Sequence, residues 1–119
     1  MIVNLDELKE IAEIEFEDIV VDVLISDLNA MRIILRDGSY LDIWYSLKLP
    51  NRYSYHWERG HINGKIYRHD NAPHHKWKKV KTFPKHFHNG IENIVTESYI
   101  SDNPPRALRE VLLFIRQKL

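Results

Sequence analysis

A chain of 119 residues, 44% hydrophobic and 29% charged, is long enough for one core and too short for two, so we expect a single domain over residues 1–119. The chain has no cysteine, which excludes disulfides and thiolate metal sites. Its most apolar stretch, Ile19–Ile25, contains Asp22 and is too short to span a bilayer, and its acidic start lacks the basic region of a signal peptide, so we expect a cytoplasmic protein without membrane contact.

The net charge is zero, but acidic and basic residues are separated along the chain. Residues 1–27 carry nine acids and one lysine, a net charge of −8. Residues 51–90 carry nine lysines and arginines against two acids, a net charge of +7. The separation predicts a polyanion-binding surface on the basic part. The alternative is that the two segments neutralise each other in the folded protein.

The first two predicted elements are a helix and a strand. Leu5–Ile14 places apolar residues at three- and four-residue spacing, which predicts a short amphipathic helix, and Asn4 is suited to cap it. Ile19–Ser26 is rich in valine and isoleucine and predicts a strand.

Two hairpins are predicted next, each from a turn dipeptide between apolar segments. The turns are Asp37-Gly38 and Asn63-Gly64, whose residues tolerate the positive φ angles of tight turns. The flanking segments predict four strands: Met31–Arg36, Ser39–Leu47, Tyr53–Arg59 and Lys65–Asp70.

The C-terminal third contains a loop, two short strands and a helix. Residues Asn71–Pro84 lack periodicity and predict a loop, followed by strands at Lys85–His88 and Ile94–Tyr99. Asn103 is suited to cap a final helix, with Pro104 in its first turn. The predicted fold is α+β, a single antiparallel β-sheet meander flanked by an N-terminal and a C-terminal helix.

All seven histidines lie between residues 56 and 88, and they are His56, His61, His69, His74, His75, His86 and His88. Imidazole exchanges protons near neutral pH and also binds metals. His86 and His88 are two residues apart, so on a strand both project from one face. We expect His61 and His69, which lie near predicted turns, to be exposed to solvent.

The basic segment contains the groups needed to cleave RNA without a metal. That reaction requires a base, an acid and cations that stabilise charge on the phosphate. Histidines supply the base and the acid, Arg68 binds the phosphate, and Asp70 orients an imidazole. Aromatic rings beside cations suit unpaired bases. The predicted nucleic-acid-binding residues are Lys76, Trp77, Lys78, Lys79, Lys81 and Lys85.

Three other interpretations of this segment stay open. The first is a metal-dependent enzyme whose ligands are His74, His75, His86 and His88, because imidazole suits zinc and similar ions. The second is a binding module for nucleic acid or protein without catalysis. The third is a purely structural histidine network. The alternating aromatic residues of Tyr53–Arg59 are expected to form core rather than a base-stacking platform.

The order of residues in three stretches resembles the TumE-like family of small prokaryotic proteins. The stretches are Tyr53-x-Tyr55-His56-Trp57, Arg68-x-Asp70-Asn71-Ala72-Pro73-His74-His75 and Phe83-Pro84-x-His86-x-His88. Members of that family are regarded as toxins of type II toxin–antitoxin pairs, usually encoded beside a helix-turn-helix antitoxin. The chain departs from the family pattern by carrying several lysines between the second and third stretches.

The resemblance implies a toxin with ribonuclease-like activity, RNA as the substrate and a cognate antitoxin, of the helix-turn-helix type, as the protein partner. It implies no resident cofactor, although a divalent metal and a homo-oligomer are left open. Carried over residue by residue, it implies these catalytic candidates: His56, Arg68, Asp70, His74, His75, His86 and His88.

Overall fold

The computed structural model describes residues 2–119 and contains one antiparallel sheet of seven strands whose spatial order follows the sequence. The strands are β1 (Val20–Asp27), β2 (Ala30–Leu35), β3 (Tyr40–Tyr45), β4 (Tyr53–Arg59), β5 (Lys65–Asp70), β6 (His86–Gly90) and β7 (Val95–Glu97). The helices are α1 (Leu5–Glu15), the single turn α2 (Gly60–Asn63) and α3 (Pro104–Lys118). The predicted α+β meander with a helix at each end is confirmed.

Both long helices begin where the sequence predicts a cap. The side chain of Asn4 accepts a hydrogen bond from the Glu7 N–H at 3.0 Å, and that of Asn103 accepts one from the Arg106 N–H at 3.1 Å. Each cap satisfies a backbone donor that has no partner within its helix. Pro104 occupies the first turn, where its missing N–H leaves no hydrogen bond unmade.

The core lies between one face of the sheet and the two long helices. In β4 the inward residues Tyr53, Tyr55 and Trp57 are buried, as expected from their alternation with polar residues. Phe114 of α3 packs edge-on against Trp57 and also contacts Tyr67 of β5. The other face of the sheet therefore carries the alternate residues, among them the polar side chains of β4 to β6.

The predicted hairpin of β4 and β5 is confirmed, and the connection between its two strands is helical. The chain forms the helical turn α2 and leaves it through Gly64, whose φ of 75° is the left-handed conformation that glycine adopts without a steric cost. The predicted loop Asn71–Pro84 contains a 3-10 turn at His75–Trp77. Among residues 2–119, no helix is both long enough and apolar enough to cross a membrane.

Strand register brings distant residues into rows across the polar face. Arg68 of β5 lies opposite His56 of β4 on one side and His88 of β6 on the other. In the next row Asp70 of β5 lies opposite His86 of β6. Antiparallel partners are about 5 Å apart, so the side chains in each row can touch.

Candidate functional site

A hollow of about 340 Å³ lies on the polar face, above β5 and β6. Four strand residues form its floor, namely Arg68, Asp70, His86 and His88. Its walls come from the loop after β5 and from the turn after β6, and they include His74, Lys76, Trp77 and Glu92. The hollow thus joins residues from two separate stretches of the chain, 68–77 and 86–93.

Asp70 and His86 form a buried ion pair at the floor, with 3.0 Å between Oδ1 and Nε2. The other ring nitrogen of His86 donates to the Pro84 carbonyl at 2.8 Å, so both of its nitrogens face acceptors. Burial disfavours the charged imidazole, but these two hydrogen bonds outweigh it and raise the pKa of His86. Burial likewise opposes ionisation of Asp70, but hydrogen bonding and charge interaction with His86, together with the contacts to His88 and to the Ala72 N–H, outweigh it and hold the pKa of Asp70 well below its usual range.

His88 is held through both of its ring nitrogens. Its Nδ1 donates to the Glu92 carbonyl at 2.8 Å, and its Nε2 accepts from Nη2 of Arg68 at 3.2 Å. His88 therefore supports Arg68 from the side opposite to His56, whose Nδ1 lies 3.4 Å from Nη1 of Arg68.

Arg68 holds a carboxylate in a two-pronged arrangement. Its Nη1 and Nη2 donate to the two carboxylate oxygens of Glu92 at 2.6 and 2.7 Å, and its Nε donates to Asp70 at 3.1 Å. The hydrogen bonds to Glu92 are the main reason why the pKa of Arg68 is raised and that of Glu92 is lowered. A planar guanidinium fork binds phosphate in the same way.

Glu92 is a site residue that the sequence did not predict, since the predicted residues were histidines, basic residues, Trp77 and Asp70. Its side chain is 58% exposed, although its carboxylate meets Arg68. One signal was available, because Glu92 is the first acid after Asp70 along an otherwise basic stretch. Its pairing with Arg68, 24 residues earlier, depends on the turn after β6 and could not be derived from local pattern.

Loop residues close one side of the hollow. Trp77 packs edge-on against His88, with 5.8 Å between ring centroids, and the ammonium group of Lys76 lies over the Trp77 ring at 4.9 Å. The Nδ1 of His74 accepts from the Lys76 N–H at 3.3 Å, which holds that exposed imidazole at the mouth. Trp77 is half-buried, so it covers the histidines and still offers part of its ring.

The remaining predicted site residues lie outside the hollow. His56 borders it through Arg68 and donates from Nε2 to Glu58 at 3.0 Å, whereas His75 is exposed and does not line the hollow. Lys78, Lys79 and Lys81 are exposed on the loop beyond it. The Lys85 ammonium binds the Ile100 carbonyl and Asp102 instead.

The expectation for the two turn-flanking histidines is right for His61 and wrong for His69. His61 is exposed, with its ring bonded to the Gly38 carbonyl. His69 lies on the core side of β5, stacks on Phe87 with 4.2 Å between centroids and bonds to the Ser98 hydroxyl at 2.7 Å. Burial, with a contribution from Lys85, lowers the pKa of His69 to about 4. Strand alternation separates His69 from its neighbours Arg68 and Asp70.

The acidic and basic segments do not neutralise each other through ion pairs among residues 2–119. Two of the acids in residues 1–27 form ion pairs, Glu15 with Arg109 and Asp18 with Arg116, and both arginines belong to α3. The basic residues of 51–90 that form ion pairs do so with acids outside 1–27. Two regions of opposite charge therefore persist in the folded chain.

Two kinds of chemistry are compatible with this arrangement. A guanidinium fork beside a protonated imidazole can bind a phosphate and donate a proton to it. Ligand atoms of Asp70, His86 and His88 also lie within 4.8 Å of one another, which is close enough to bind one metal ion. His74 and His75 are not part of that cluster, so the four-histidine set expected from the sequence is not assembled.

Comparison with known proteins identifies the family. No curated protein and no solved structure matches the chain. The family model described as "Toxin TumE" matches residues 7–119, nearly the whole length. The resemblance noted in the sequence is thereby confirmed, and the chain belongs to the TumE toxin family.

Proposed function

We propose that this toxin is an endoribonuclease that acts on RNA in the cytoplasm by metal-independent acid–base catalysis. The observation that carries the proposal is the two-pronged contact between Arg68 and the Glu92 carboxylate, directly beside the Asp70–His86 pair. A carboxylate bound in this way occupies the position that a phosphate group of RNA would take. The neighbouring imidazoles then provide proton transfer at that phosphate.

The proposed reaction is attack of a ribose 2′-oxygen on the adjacent phosphorus. A P–O bond to the 2′-oxygen forms as the P–O bond to the 5′-oxygen breaks, leaving a cyclic phosphate and a free 5′-hydroxyl. His74 at the mouth accepts the 2′-hydroxyl proton. His86 supplies a proton to the leaving oxygen from Nε2, which exchanges its hydrogen bond with Asp70 for one with that oxygen. Arg68 stabilises the charge on the phosphate, and Asp70 keeps His86 protonated. His88 and His56 position Arg68.

The decisive experiment incubates purified protein with a labelled oligoribonucleotide and with the same oligonucleotide lacking its 2′-hydroxyl groups. We expect cleavage of the first and none of the second, because the attacking oxygen is missing. His74→Ala and Arg68→Lys should each lower the cleavage rate about a hundredfold or more, since a proton-transfer group or the phosphate fork is lost.

His61→Ala is the matched control, because His61 is an exposed histidine outside the hollow. It should cleave RNA as the wild type does and should inhibit growth equally. Circular dichroism of every variant establishes that the fold is retained. Unchanged cleavage by folded His74→Ala and Arg68→Lys would contradict the assignment, and cleavage of the deoxy substrate would contradict the reaction.

A metal-dependent nuclease is the second candidate function, favoured by how the two floor histidines are held. His86 and His88 each donate Nδ1–H to a backbone carbonyl and direct Nε2 towards Asp70. Metal-binding histidines are commonly anchored in this way. Against it, Arg68 already donates to Nε2 of His88, and its positive charge opposes a cation there.

Elemental analysis and chelation distinguish the two candidates. Protein dialysed against EDTA should retain full cleavage if acid–base catalysis is correct. The metal-dependent function would be established instead if chelation abolished the activity and one equivalent of zinc or manganese restored it. In that case the metal should not restore activity to Asp70→Asn.

Membership of a toxin family implies an antitoxin partner. We further propose that this antitoxin is of the helix-turn-helix type, as the resemblance suggests. Co-expression with the neighbouring gene product, followed by purification of the complex, tests the pairing directly.

A further inference from the structure

Strand β1 is the long, unpaired edge of the sheet. It has eight residues, and its backbone pairs with β2 on one side. The opposite edge, β7, has three residues, and the loop before β6 holds that region through bonds from the Lys81 N–H to Glu97 and from the Ser98 N–H to Thr82. A free edge is a template for an additional strand. In this protein the long edge is the one left available.

Apolar side chains project from both sides of this edge. Leu24, on the face away from the helices, is 48% exposed, and its neighbour Ile25, on the helix side, is still 40% exposed. Ile25 also borders a hollow of about 430 Å³ together with Leu28 and Ile2, both largely exposed. The helical side of the sheet therefore leaves Ile25 partly uncovered, although α1 packs against β1, and a strand added at this edge would cover apolar surface on both sides.

The edge is negatively charged. The carboxylate of Asp22 accepts from the Val23 N–H at 2.9 Å, which places a negative charge at the backbone of β1. Asp27 lies at the end of the strand, and within residues 2–119 neither acid forms an ion pair. A second copy of the chain would bring the same acids into contact. The charge thus disfavours self-pairing and favours a basic partner.

The register between β1 and β2 indicates that only four residues of β1 are regular enough to pair with an added strand. Shifts interrupt the β1–β2 pairing at Val20/Asp22 and at Ile25/Asp27, whereas Asp22–Ile25 pairs without interruption. Bulges bend and twist a strand, so the regular central segment is the part that can extend the sheet. It contains the exposed Leu24 and Ile25.

We propose that Asp22–Ile25 is the docking surface for a basic, extended segment of the antitoxin, which adds an eighth strand to the sheet. Main-chain hydrogen bonds would provide affinity, with the Val23 N–H released as the Asp22 carboxylate turns to a lysine of the added segment. The apolar residues and acids of the edge would select valine-like and lysine-like side chains. The proposal rests on membership of a toxin family, which implies an antitoxin, and not on RNA cleavage. It predicts that the antitoxin binds away from the catalytic hollow.

The test uses calorimetry to measure how tightly the purified antitoxin binds to the wild-type chain and to the edge variant, Leu24→Lys/Ile25→Lys. We expect at least tenfold weaker binding by the edge variant, because two lysines repel a basic segment and remove apolar contact. Leu47→Lys/Leu49→Lys is the matched control, since both leucines are exposed to a similar degree in the β3–β4 connection, and it should bind as wild type. RNA cleavage by the isolated edge variant should be unchanged, so failure of the nuclease proposal leaves this test intact.

A second measurement uses synthetic peptides and tests the charge argument. A ten-residue peptide of alternating lysine and valine should protect β1 amides from hydrogen exchange, and the same peptide with glutamate in place of lysine should not. Equal protection by both peptides would overturn the proposal. The proposal would also be overturned if the folded edge variant bound the antitoxin as tightly as the wild type does. A further contradicting result would be that the isolated wild-type chain forms a dimer and that the edge variant is monomeric.

Discussion

Arg68 is the residue around which the site is organised. Its guanidinium contacts Asp70 on its own strand, His56 and His88 on the two neighbouring strands, and Glu92 in the turn after β6. Two of those partners are carboxylates and two are imidazoles. Arg68 is therefore held rigidly, and none of these contacts is with another lysine or arginine. A phosphate that enters the hollow would replace Glu92 and leave the other three contacts in place.

Glu92→Gln tests whether this carboxylate competes with phosphate. The amide is similar in shape but lacks the negative charge, so we expect a several-fold lower KM for RNA with kcat nearly unchanged. Steady-state cleavage of a short oligoribonucleotide provides both constants. Glu10→Gln, at an exposed position on α1, is the control. A fall in kcat without a change in KM would instead make Glu92 a proton-transfer group.

Asp70→Asn tests the buried ion pair. Breaking such a pair from one side leaves a buried group without its partner, and we expect a loss of about 3 kcal/mol in the free energy of unfolding. Asp42→Asn is a matched comparison, because Asp42 lies on the same face and pairs with Arg32, but both side chains are about 40% exposed. Exposed pairs contribute less than about 1 kcal/mol. Urea denaturation should therefore show a much larger loss in the free energy of unfolding for Asp70→Asn than for Asp42→Asn.

Among the elements, the β2–β3 hairpin has a polar network at its turn. Asp37 accepts from the Ser39 N–H at 3.0 Å and from Arg59 at 3.0 Å, and the Ser39 hydroxyl accepts from the buried Trp57 indole at 2.8 Å. Burial opposes ionisation of Asp37, but the hydrogen bonds from Ser39 and Arg59 outweigh it and lower its pKa. The turn is thereby tied to β4.

Asp37→Asn should therefore destabilise the protein in a pH-dependent manner. A carboxyl whose pKa is lower in the folded than in the unfolded chain stabilises the fold above its unfolded pKa, and this stability is lost as the pH falls through the folded pKa. We expect the variant to be about 1 kcal/mol less stable at pH 7, with the difference shrinking below about pH 4. Urea denaturation at several pH values measures it, and a difference that grows in acid would contradict the assignment.

At the scale of the whole molecule, charge separates two functions. The acidic N-terminal region carries the proposed antitoxin edge, and the basic loop borders the proposed RNA-cleaving hollow. Under these two proposals, the two regions of opposite charge would attract RNA and a basic protein segment to different parts of the chain, without competition between them.

Replacing Lys76, Lys78 and Lys79 with alanine tests the basic region. All three side chains are exposed, so the fold should be retained. We expect weaker RNA binding and a salt dependence whose slope in log Kd against log salt falls by about 2, as three phosphate contacts to a single strand are lost. Filter binding at several salt concentrations measures the slope. Lys48→Ala/Lys65→Ala is the control, and antitoxin binding should be unaffected by either variant.

The local sequence pattern was sufficient to predict the long helices, the strands and the buried face of β4. Alternation in Tyr53–Arg59 predicted both the strand and its buried aromatic side, and Asn4 and Asn103 marked the helix starts. It predicted the β4–β5 hairpin but not the helical turn α2 within it, because a glycine with positive φ can end a helical turn or form part of a hairpin turn. The local pattern also wrongly predicted that His69 is exposed to solvent, because this residue lies near a predicted turn.

The sequence by itself therefore determined the α+β class, the separation of charge and the common face of His86 and His88, because each follows from spacing along the chain. Only the tertiary structure decided which groups meet, since a side-chain period of two specifies a face but not the partner on the next strand. The loop between β5 and β6 sets the register that places Asp70 opposite His86, and the turn after β6 brings Glu92 to Arg68.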